Sequence, residues 1–433
     1  MTSNPSTRRR FLRHSALSAA PLILPSGMLM GAEAPSNRIT VGMIGTGSRA
    51  NGHLGDLARR AEVQIVTLCD VDSKHLEAAR NRVSKDYAKR DGADANSLDL
   101  TDDYREVCAR EDVDAVVIST PDHWHALAGV EAARAGKHIY CEKPVTHLFR
   151  EGQILRDEVA KAGVIFQVGS QQRSDLRFRR AAEIVRNGLL GKIQKVEIGL
   201  PTGKSKADRG AGNTTVPETL NYDRWVGPSP MIDYDSGRCH WSWRWHTYFG
   251  GGQLMDWIGH HNDIAHWGLG LDDSGPDTVE SSGWKMTEFP LFDTPVDYEV
   301  KCTYADGLET SLANKYPNGL KWIGEEGWMF VKRGGIEASN REWISDKFDR
   351  GPEKLYETKG HVTNWLDGIR TGKECICPAA TGHRSITPGH LGWVSYHLDR
   401  KLKWDPATET IVGDAEADAA LKALDYRGEW SLA

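Results

Sequence analysis

The sequence predicts an α/β protein with two domains, a doubly wound parallel sheet followed by an α+β domain with a largely antiparallel sheet. From residue 38 to residue 169, short apolar runs alternate with stretches of helical periodicity, which is typical of a parallel sheet with helices on both faces. After Gly169, longer alternating strands are separated by lengthy loops, and this pattern favours antiparallel pairing. The chain has 433 residues, which is long enough for two domains of ordinary size.

The domain boundaries follow from where this pattern begins and changes, and we place the first domain at 38–169 and the second at 170–433. In the first domain we predict strands at 39–44, 63–68, 113–118, 137–141 and 164–168, and helices at 74–87, 124–135 and 151–161. In the second domain we predict strands at 193–199, 298–304 and 309–313, and helices at 361–370 and 390–401.

Residues 1–34 have the features of a twin-arginine signal peptide. The run Thr-Arg-Arg-Arg-Phe-Leu-Arg at 7–13 precedes an apolar stretch at 16–30, and Ala-Glu-Ala at 32–34 supplies a cleavage pattern of small residues. We therefore expect the twin-arginine translocase as a partner during export, and a periplasmic or secreted mature protein. No cysteine lies near the cleavage pattern, so a lipid anchor is not predicted.

Composition narrows the possible function classes. The formal net charge is -6 and no basic stripe is present, which argues against a nucleic-acid partner. No apolar run reaches the ~18 residues of a membrane-spanning helix, so no membrane anchor is expected. The seven cysteines are scattered and odd in number, which favours free buried thiols over a disulfide framework. Cys375 and Cys377 have no second pair nearby, and we predict no metal site.

A glycine-rich turn directly after the first strand predicts a dinucleotide site. Gly45-x-Gly47-x-x-Ala50 would let the backbone approach a pyrophosphate at a helix N-terminus, which makes Thr46, Ser48 and Arg49 candidate cofactor-binding residues as well. Asp70 ends the next strand, where a carboxylate can accept hydrogen bonds from both adenosine ribose hydroxyls. The same carboxylate would repel a 2′-phosphate, so we favour NAD and consider NADP less suitable.

Three further motifs carry residues that suit chemistry. Thr120-Pro121-Asp122-x-x-His125 and Glu142-Lys143-Pro144 end successive strands, at the edge where doubly wound sheets bind ligands. In the second domain, three glycines at 250–252 open a predicted helix that carries Asp256 and, four residues later, His260 on the same face. Together these motifs resemble the glucose–fructose oxidoreductase/inositol dehydrogenase/MocA family, specifically its exported bacterial branch.

The resemblance spans nearly the whole chain after the signal peptide and implies a Rossmann domain followed by a substrate and oligomerisation domain. It implies that Lys143, Asp256 and His260 line the substrate pocket and that the Lys143–Pro144 peptide bond is cis. It also implies that the cofactor site includes Thr120, Pro121, His125, Glu142 and Lys143, and that the protein forms homo-oligomers. One departure is that the glycine between Asp256 and His260 stands one place late, at Gly259, which leaves the role of His261 open.

The residue types themselves suit the oxidation of a carbinol. Hydride leaves carbon while a proton leaves the hydroxyl, so the reaction needs a base and a group that stabilises negative charge on oxygen. We expect His260 to take the proton and Lys143 to hold the oxygen. Asp256 is expected either to orient the imidazole or to bind a substrate hydroxyl. His125 is expected to brace the loop near the nicotinamide rather than to carry a proton.

A cluster of aromatic residues at 241–245 suggests a sugar or polyol substrate. Aromatic faces pack on the C–H faces of sugar rings, and we name Arg244 and Trp245 as substrate contacts. A core or interface cluster is an equal alternative at this stage.

Export constrains the function, because no nicotinamide pool lies outside the cytoplasm. We therefore expect NAD to stay tightly bound and to be recycled in each cycle by an oxidoreductase acting on CH–OH groups. The alternative is a redox-neutral, NAD-dependent glycosidase that oxidises, eliminates and reduces again. A third possibility is a binding protein without catalysis, which unchanged turnover in a Lys143→Ala variant would favour.

Overall fold

The computed structural model describes residues 37–90, 98–208 and 210–433, so the predicted signal peptide lies outside the described residues. Two sheets dominate this part of the chain, one of six strands and one of nine. The first is entirely parallel and the second is mostly antiparallel, which confirms the predicted α/β fold class.

The first sheet has the strand order β3-β2-β1-β4-β5-β6. Chain progression reverses between β1 and β4, and the carboxyl ends of strands on either side of such a switch point form a crevice that binds ligands. Apolar residues bury the central strands on both faces, as in the fully buried run of β4. The strands are β1 (Ile39–Ile44), β2 (Val63–Cys69), β3 (Asp99–Thr101), β4 (Ala115–Ile118), β5 (His138–Cys141) and β6 (Phe166–Val168).

Helices connect these strands and begin and end at capping residues. The Asp72 side chain accepts a hydrogen bond from the backbone N–H of Lys74 at the start of α2, and Gly163 adopts a φ of 66° where α5 ends. The helices of the first domain are α1 (Ala50–Arg59), α2 (Ser73–Tyr87), α3 (Tyr104–Ala109), α4 (His125–Arg134) and α5 (Phe149–Ala162).

The second sheet has the order β13-β12-β11-β7-β10-β9-β8-β14-β15, in which only β7 and β10 pair in parallel. One face of this sheet packs against the helix that carries Asp256 and His260. Its strands are β7 (Ile193–Gly199), β8 (Thr278–Met286), β9 (Pro295–Thr303), β10 (Glu309–Ala313), β11 (Gly319–Gly324), β12 (Gly327–Lys332), β13 (Gly335–Ala338), β14 (Leu402–Asp405) and β15 (Thr410–Ile411).

The remaining helices lie between and beside the two sheets. They are α6 (Leu176–Arg186), α7 (Tyr222–Val226), α8 (Gly252–Leu269), α9 (His361–Thr371), α10 (Ala379–Leu398) and α11 (Ala415–Lys422). No helix of the described ranges is both long and apolar enough to cross a bilayer. All seven cysteines are buried free thiols, as the sequence predicts.

Helix α10 begins eleven residues before the predicted position 390, because the helix continues through Pro388. A proline inside a helix removes one backbone hydrogen bond. The hydroxyl of Thr387 donates to the carbonyl of His383 at 2.9 Å, which adds a bond in the same turn. Two glycines in the following turns allow close packing. A Cβ at Gly389 would lie 2.5 Å from Met255, and a Cβ at Gly392 would lie 2.6 Å from Val300. Tertiary packing therefore outweighs the local effect of the proline.

Residues late in the sequence complete the core of the first domain. Trp365 on α9 is fully buried and packs edge-on against Tyr140 of β5, with ring centroids 5.7 Å apart. The N–H of Val168 on β6 donates to the carbonyl of Cys377 at 2.8 Å. The two domains thus share a continuous apolar interior.

A buried ion-pair network fixes α8 to the segment that follows β6. The Arg173 side chain is 1% exposed and donates to the fully buried carboxylate of Asp263 at 2.8 Å and to Asp272 at 2.7 Å. Burial raises the pKa of Asp263 to about 6, although Arg173 opposes that rise. The network matters for the site because Asp263 lies on the helix that carries Asp256 and His260.

We predict that Arg173→Leu lowers the free energy of unfolding by about 3–5 kcal/mol at neutral pH, because it leaves Asp263 buried without a counter-ion. The loss should shrink as the pH falls, since a protonated Asp263 needs no counter-ion. Urea denaturation of the purified protein measures this change. Arg177→Leu is the control, because that side chain is 47% exposed and its pair with Asp175 should contribute at most about 1 kcal/mol. Equal losses in the two variants would contradict the prediction.

Candidate active site

An open cleft of about 1150 Å³ lies at the carboxyl ends of the first sheet and is bounded on its far side by the second domain. All the predicted cofactor-binding residues except Thr46 line it. Of the predicted catalytic and substrate residues, Lys143 and Arg244 also line the cleft, whereas Asp256, His260 and Trp245 are not part of its surface.

The glycine turn after β1 forms a cradle in which the first position requires glycine. Gly45 has a φ of 83°, and a Cβ there would come within 2.8 Å of the backbone of Ser119 and Thr120. Nothing lies within 3.8 Å of the corresponding point at Gly47, so backbone and ligand can approach each other there. Helix α1 begins just beyond, and its free N–H groups suit a phosphate.

Asp70 is anchored beside this turn. One carboxylate oxygen accepts hydrogen bonds from the backbone N–H of Thr46 at 2.7 Å and from its hydroxyl at 3.1 Å. Burial opposes ionisation, but the hydrogen bond and charge of His75 lower the pKa of Asp70. Thr46 thus acts by holding Asp70, and the ionised carboxylate lies where an adenosine ribose is bound in this class of fold.

Two histidines that the sequence analysis did not single out flank the same carboxylates. His75 lies 3.6 Å from Asp70, and His240 lies 3.1 Å from Asp72. Burial opposes ionisation of Asp72, but the His240 contact and neighbouring hydrogen bonds lower its pKa to about 2. Asp72, His75 and His240 bring possible metal-ligand atoms within 4.8 Å of one another, although each imidazole already faces a carboxylate.

Two buried hydroxyls in the cleft wall lack partners. Ser119 Oγ and Thr120 Oγ1 have no hydrogen-bond partner among the described residues, and both residues line the cleft. Since buried polar groups are normally satisfied, these hydroxyls indicate a polar ligand beside the glycine turn. The glycine cradle, the ionised Asp70 and these orphaned hydroxyls together fit a dinucleotide.

His125 braces the loops on either side of the cleft floor. Its ring nitrogens lie 2.7 Å from the carbonyl of Pro144 and 3.1 Å from that of Thr120, and the Lys143–Pro144 peptide bond is cis, as the resemblance implies. Burial lowers the pKa of His125, and the two carbonyl contacts oppose that change. These contacts fit the bracing role that we expected.

Glu142 is a buried carboxylate with two basic partners. It lies 2.6 Å from Arg49 and 2.7 Å from His53, and it is 4% exposed. Burial opposes its ionisation, but the hydrogen bond and charge of His53 and the charge of Arg49 hold the pKa of Glu142 far below its usual range. Arg49 is thereby fixed at the mouth of the glycine turn.

Lys143 joins the two domains across the cleft. Its ammonium donates to the Asp256 carboxylate at 2.9 Å and to the Asp256 backbone carbonyl at 2.7 Å. Arg244 Nε also donates to the same carboxylate oxygen at 3.2 Å. Burial opposes ionisation, but the charges of Lys143 and Arg244 lower the pKa of Asp256. Two cations therefore surround one carboxylate, which leaves an excess of positive charge at this point.

His260 lies one turn after Asp256 and is 5% exposed. Burial and the charge of Lys143 lower its pKa well below the usual histidine range, so the imidazole is neutral. Its Nδ1 has no hydrogen-bond partner within the described part of the chain, so Asp256 does not orient the ring. The Asp256 carboxylate binds Lys143 instead, which corrects one of the two roles expected for it.

The adjacent His261 points elsewhere. Its Nδ1 lies 2.7 Å from the carbonyl of Gly199, at the end of β7, and it is 1% exposed. His261 therefore contacts the second sheet, which resolves the question that the displaced Gly259 raised.

Trp245 is not placed as expected. It is 2% exposed and packs on Phe292 with ring centroids 5.5 Å apart, whereas Trp243 lines the cleft. The tight turn at Ser242–Trp245 explains the difference, because neighbouring side chains in it point to different sides. Arg244 does face the cleft, with its guanidinium 4.3 Å from the Trp243 ring centroid.

Sequence reasoning missed several cleft residues that come from distant segments. Tyr104, Trp124, Trp225 and Trp430 give the cleft an aromatic wall. Only Trp124 falls inside a motif noted in the sequence, and no local pattern marks the others. Asp122 was noted only as part of its motif, yet it lines the cleft, and burial followed by the charge of Asp256 raises its pKa well above the usual range.

Two family models match this chain over almost all of its described length. Residues 39–170 match a model described as "Oxidoreductase family, NAD-binding Rossmann fold". Residues 175–432 match a model described as "Oxidoreductase family, C-terminal alpha/beta domain".

Individual proteins are similar over shorter stretches. The uncharacterized oxidoreductase YrbE of Bacillus subtilis is 32% identical over 164 residues, which are 38% of this chain and 44% of that protein. An alpha-N-acetylgalactosaminidase of Shewanella oneidensis is 27% identical over 197 residues, 45% of this chain and 42% of that protein. The chain thus spans less than half the length of these curated relatives.

A solved structure shows the fold over a longer stretch. The WlbA dehydrogenase from Bordetella pertussis, in complex with NADH and UDP-GlcNAcA, has a TM-score of 0.61 and 19% identity, covering 85% of this chain and 99% of that one.

We predict that Asp70→Asn weakens NAD binding by about 10- to 100-fold, because hydrogen bonds to a charged acceptor contribute about 1.5–3 kcal/mol. NADP binding should be unchanged or improved, since the charge that repels a 2′-phosphate is removed. Calorimetric titration with each nucleotide measures both dissociation constants. Asp102→Asn is the control, because that carboxylate lines the same cleft but is 49% exposed and pairs with Arg224. If the ratio of the dissociation constants for NAD and NADP is the same in Asp70→Asn as in the unmodified protein, the role given to Asp70 is refuted.

Proposed function

We propose that this chain, which belongs to the glucose–fructose oxidoreductase/inositol dehydrogenase/MocA family, transfers hydride between a CH–OH group of a sugar or polyol and a tightly bound NAD. Membership follows from family models that match 39–170 and 175–432, the first of them the NAD-binding Rossmann fold. The observation that carries the proposal is the contact of Lys143 with Asp256, which brings candidate groups of both domains together beside the cleft.

NAD would be held by residues of the first domain. The turn at Gly45 and Gly47 would take its phosphates, Asp70 its adenosine ribose, and the hydroxyls of Ser119 and Thr120 its remaining polar groups. When bound, NAD accepts a hydride from a carbinol carbon and returns one to a carbonyl carbon.

The proton would be handled by His260. Because its pKa is lowered, the imidazole is unprotonated at neutral pH, and its free nitrogen lone pair is available to a substrate proton. Nδ1 is enclosed and unpartnered, which leaves Nε2 as the nitrogen to take the proton from a substrate hydroxyl. Lys143 and Arg244 would stabilise negative charge on the substrate oxygen, since together they exceed the single charge of Asp256.

A sugar or polyol suits the rest of the cleft. Trp225 and Trp243 line it, and aromatic faces pack well on the C–H faces of sugars. The Arg244 guanidinium lies 4.8 and 4.3 Å from the ring centroids of Trp241 and Trp243, and these rings would hold it in place to bind a substrate hydroxyl or carboxylate in the cleft.

Tight binding of NAD would reconcile this chemistry with export. The predicted twin-arginine signal at 1–34 would deliver a folded protein with its cofactor already inside. Outside the cytoplasm the cofactor could not exchange with a pool, so each cycle would have to return it to its starting oxidation state.

A redox-neutral glycosidase is the second candidate, because one relative is an alpha-N-acetylgalactosaminidase and several others are named as glycosyl hydrolase family 109 proteins. Such an enzyme would oxidise a carbon near the glycosidic bond to a carbonyl and pass the hydride to NAD, eliminate the leaving group as an alcohol, add water to the resulting double bond and return the hydride to the carbonyl. The residues that act in the first hydride transfer would be the same as in the oxidoreductase, and only the steps after that transfer would differ.

We predict that the full chain, purified and then denatured, releases NAD in a ratio of about one per chain. Incubation of the intact protein with a panel of free sugars, polyols and methyl glycosides, followed by mass spectrometry, distinguishes the two candidates. Oxidised and reduced products in equal amounts favour the oxidoreductase. Release of methanol and a sugar without net oxidation favours the glycosidase. Protein without nucleotide that turns over only with added NADP would contradict both.

We predict that His260→Gln lowers the catalytic rate by about 10²- to 10⁴-fold, because it removes the proton acceptor. In the unmodified enzyme, the acid limb of kcat/KM should lie below the usual histidine range, since His260 stays neutral until the pH falls through its lowered pKa. Steady-state kinetics across the pH range measure both effects.

The matched control is His261→Gln, in which the amide can keep the contact with the Gly199 carbonyl. Its rate should change by less than about tenfold, which is below the general-base contribution. Equal losses in both variants would assign His260 a role in folding rather than in proton transfer.

A further inference from the structure

Residues 423–433 return from the second domain to the surface of the first. The Tyr426 hydroxyl donates to the Glu151 carboxylate on α5 at 2.6 Å. Arg134 on α4 donates to the carbonyls of Leu432 and Ala433 at 2.8 and 3.2 Å. Leu432 is 5% exposed. This segment is therefore fixed to two helices of the cofactor domain by several independent contacts.

Trp430 is the residue of this segment that reaches the cleft. Its ring stacks on Tyr104 with centroids 6.4 Å apart and stands edge-on to Trp124 at 4.9 Å. The guanidinium of Arg105 lies 5.1 Å from its centroid. Trp430 nevertheless remains partly exposed and forms part of the cleft lining. Trp430 thus combines several packing contacts with a part of its surface that faces the cleft.

The position of Trp430 lies on the adenosine half of the cleft. Asp70 follows β2, and Tyr104 begins α3 just after β3, the strand beyond β2 at that edge of the sheet. In doubly wound folds, the carboxylate after the second strand binds the adenosine ribose, so the nearby base lies on this side.

A loop of the second domain closes the same wall. Arg427 donates to the carbonyl of Gly227 at 3.1 Å and to that of Ser229 at 3.2 Å, and pairs with Asp223 at 2.8 Å. Gly227 has a φ of 56°, and a Cβ there would overlap the Trp124 ring. Trp124 is therefore enclosed between this loop and Trp430.

We propose that residues 426–433 form a clamp that holds the adenosine half of NAD in the cleft, with Trp430 as its contact to the adenine. The clamp rests on the proposed function, because it gives a structural cause for the tight NAD binding required there. Withdrawal of this segment from the cleft would break the contacts of Arg134, Tyr426 and Arg427, so the clamp slows the release of NAD from the adenosine side.

The test measures NAD dissociation from the full chain loaded with isotope-labelled NAD and chased with an excess of unlabelled NAD. Trp430→Ala should release NAD about 5- to 100-fold faster, the range of a lost base–aromatic contact. Trp430→Phe should restore most of the slow release. Trp328→Ala is the control, since that ring also lies over a cation, Lys321 at 4.4 Å, but on β12 of the second sheet.

Half-molecule probes locate the effect. Trp430→Ala should lose affinity for AMP by a similar factor and keep that for nicotinamide mononucleotide. Unchanged NAD release and AMP affinity in a folded Trp430→Ala overturn the clamp, while NAD binding by the wild type leaves the proposed function intact. Failure of the wild type to bind NAD overturns the proposed function and the clamp with it.

Hydrogen exchange on the wild-type protein needs no variant. Loading with NAD should slow exchange of the backbone amides of 426–433, and AMP alone should do so as well. Exchange in this segment that is unaffected by either nucleotide overturns the proposal even if Trp430→Ala does not fold.

Discussion

The contact of Lys143 with Asp256 is the interaction on which the candidate site depends. Lys143 is the second residue after β5 in the first domain, and Asp256 lies on α8 in the second, yet the ammonium donates both to the carboxylate and to a helix carbonyl. Both side chains are about 15% exposed, so water screens the pair only in part. The pair fixes the distance between the cofactor domain and the helix that carries His260, and it places positive charge where a substrate oxygen would need it.

Such a pair is useful only if α8 cannot move. The helix is held from behind by the second sheet, through His261 and the Gly199 carbonyl, and from its far end by Asp263 and Arg173. Helix α10 packs against both α8 and α5 of the first domain, and Gly389 leaves room for the Met255 side chain of α8. A group with a strongly perturbed pKa, such as His260, requires this rigidity, because any opening that admits water would return it to its ordinary value.

The sequence predicts well what short motifs determine. Gly45 and Asp70 lie within one strand–turn–helix and the end of the next strand, so their spacing and their place after predicted strands together indicate a nucleotide site. The fold class follows equally well, because periodicity in each element is set by its own buried face. Trp430 and Tyr104 could not be foreseen as neighbours, since more than three hundred residues separate them and no local pattern encodes their contact. Trp245 was misplaced and Trp243 overlooked for a different reason: in a tight turn the direction of each side chain depends on backbone angles that composition does not reveal.

The cleft has two ends with opposite requirements if the cofactor is recycled. The adenosine end must release its ligand slowly, whereas the other end must exchange substrates in every cycle. Differences in affinity arise mainly from differences in the dissociation rate. A slow rate at one end and a fast rate at the other therefore require that different residues contact the ligand at each end. The chain provides them from different elements. Residues 426–433, tied to α4 and α5, close the first, while the turn at Ser242–Trp245 with Arg244 borders the second. Since Arg427 and Arg244 bind different loops and share no partner among their described contacts, tightening one end need not slow the other. This separation is the physical condition under which a single bound nucleotide can serve many substrate molecules.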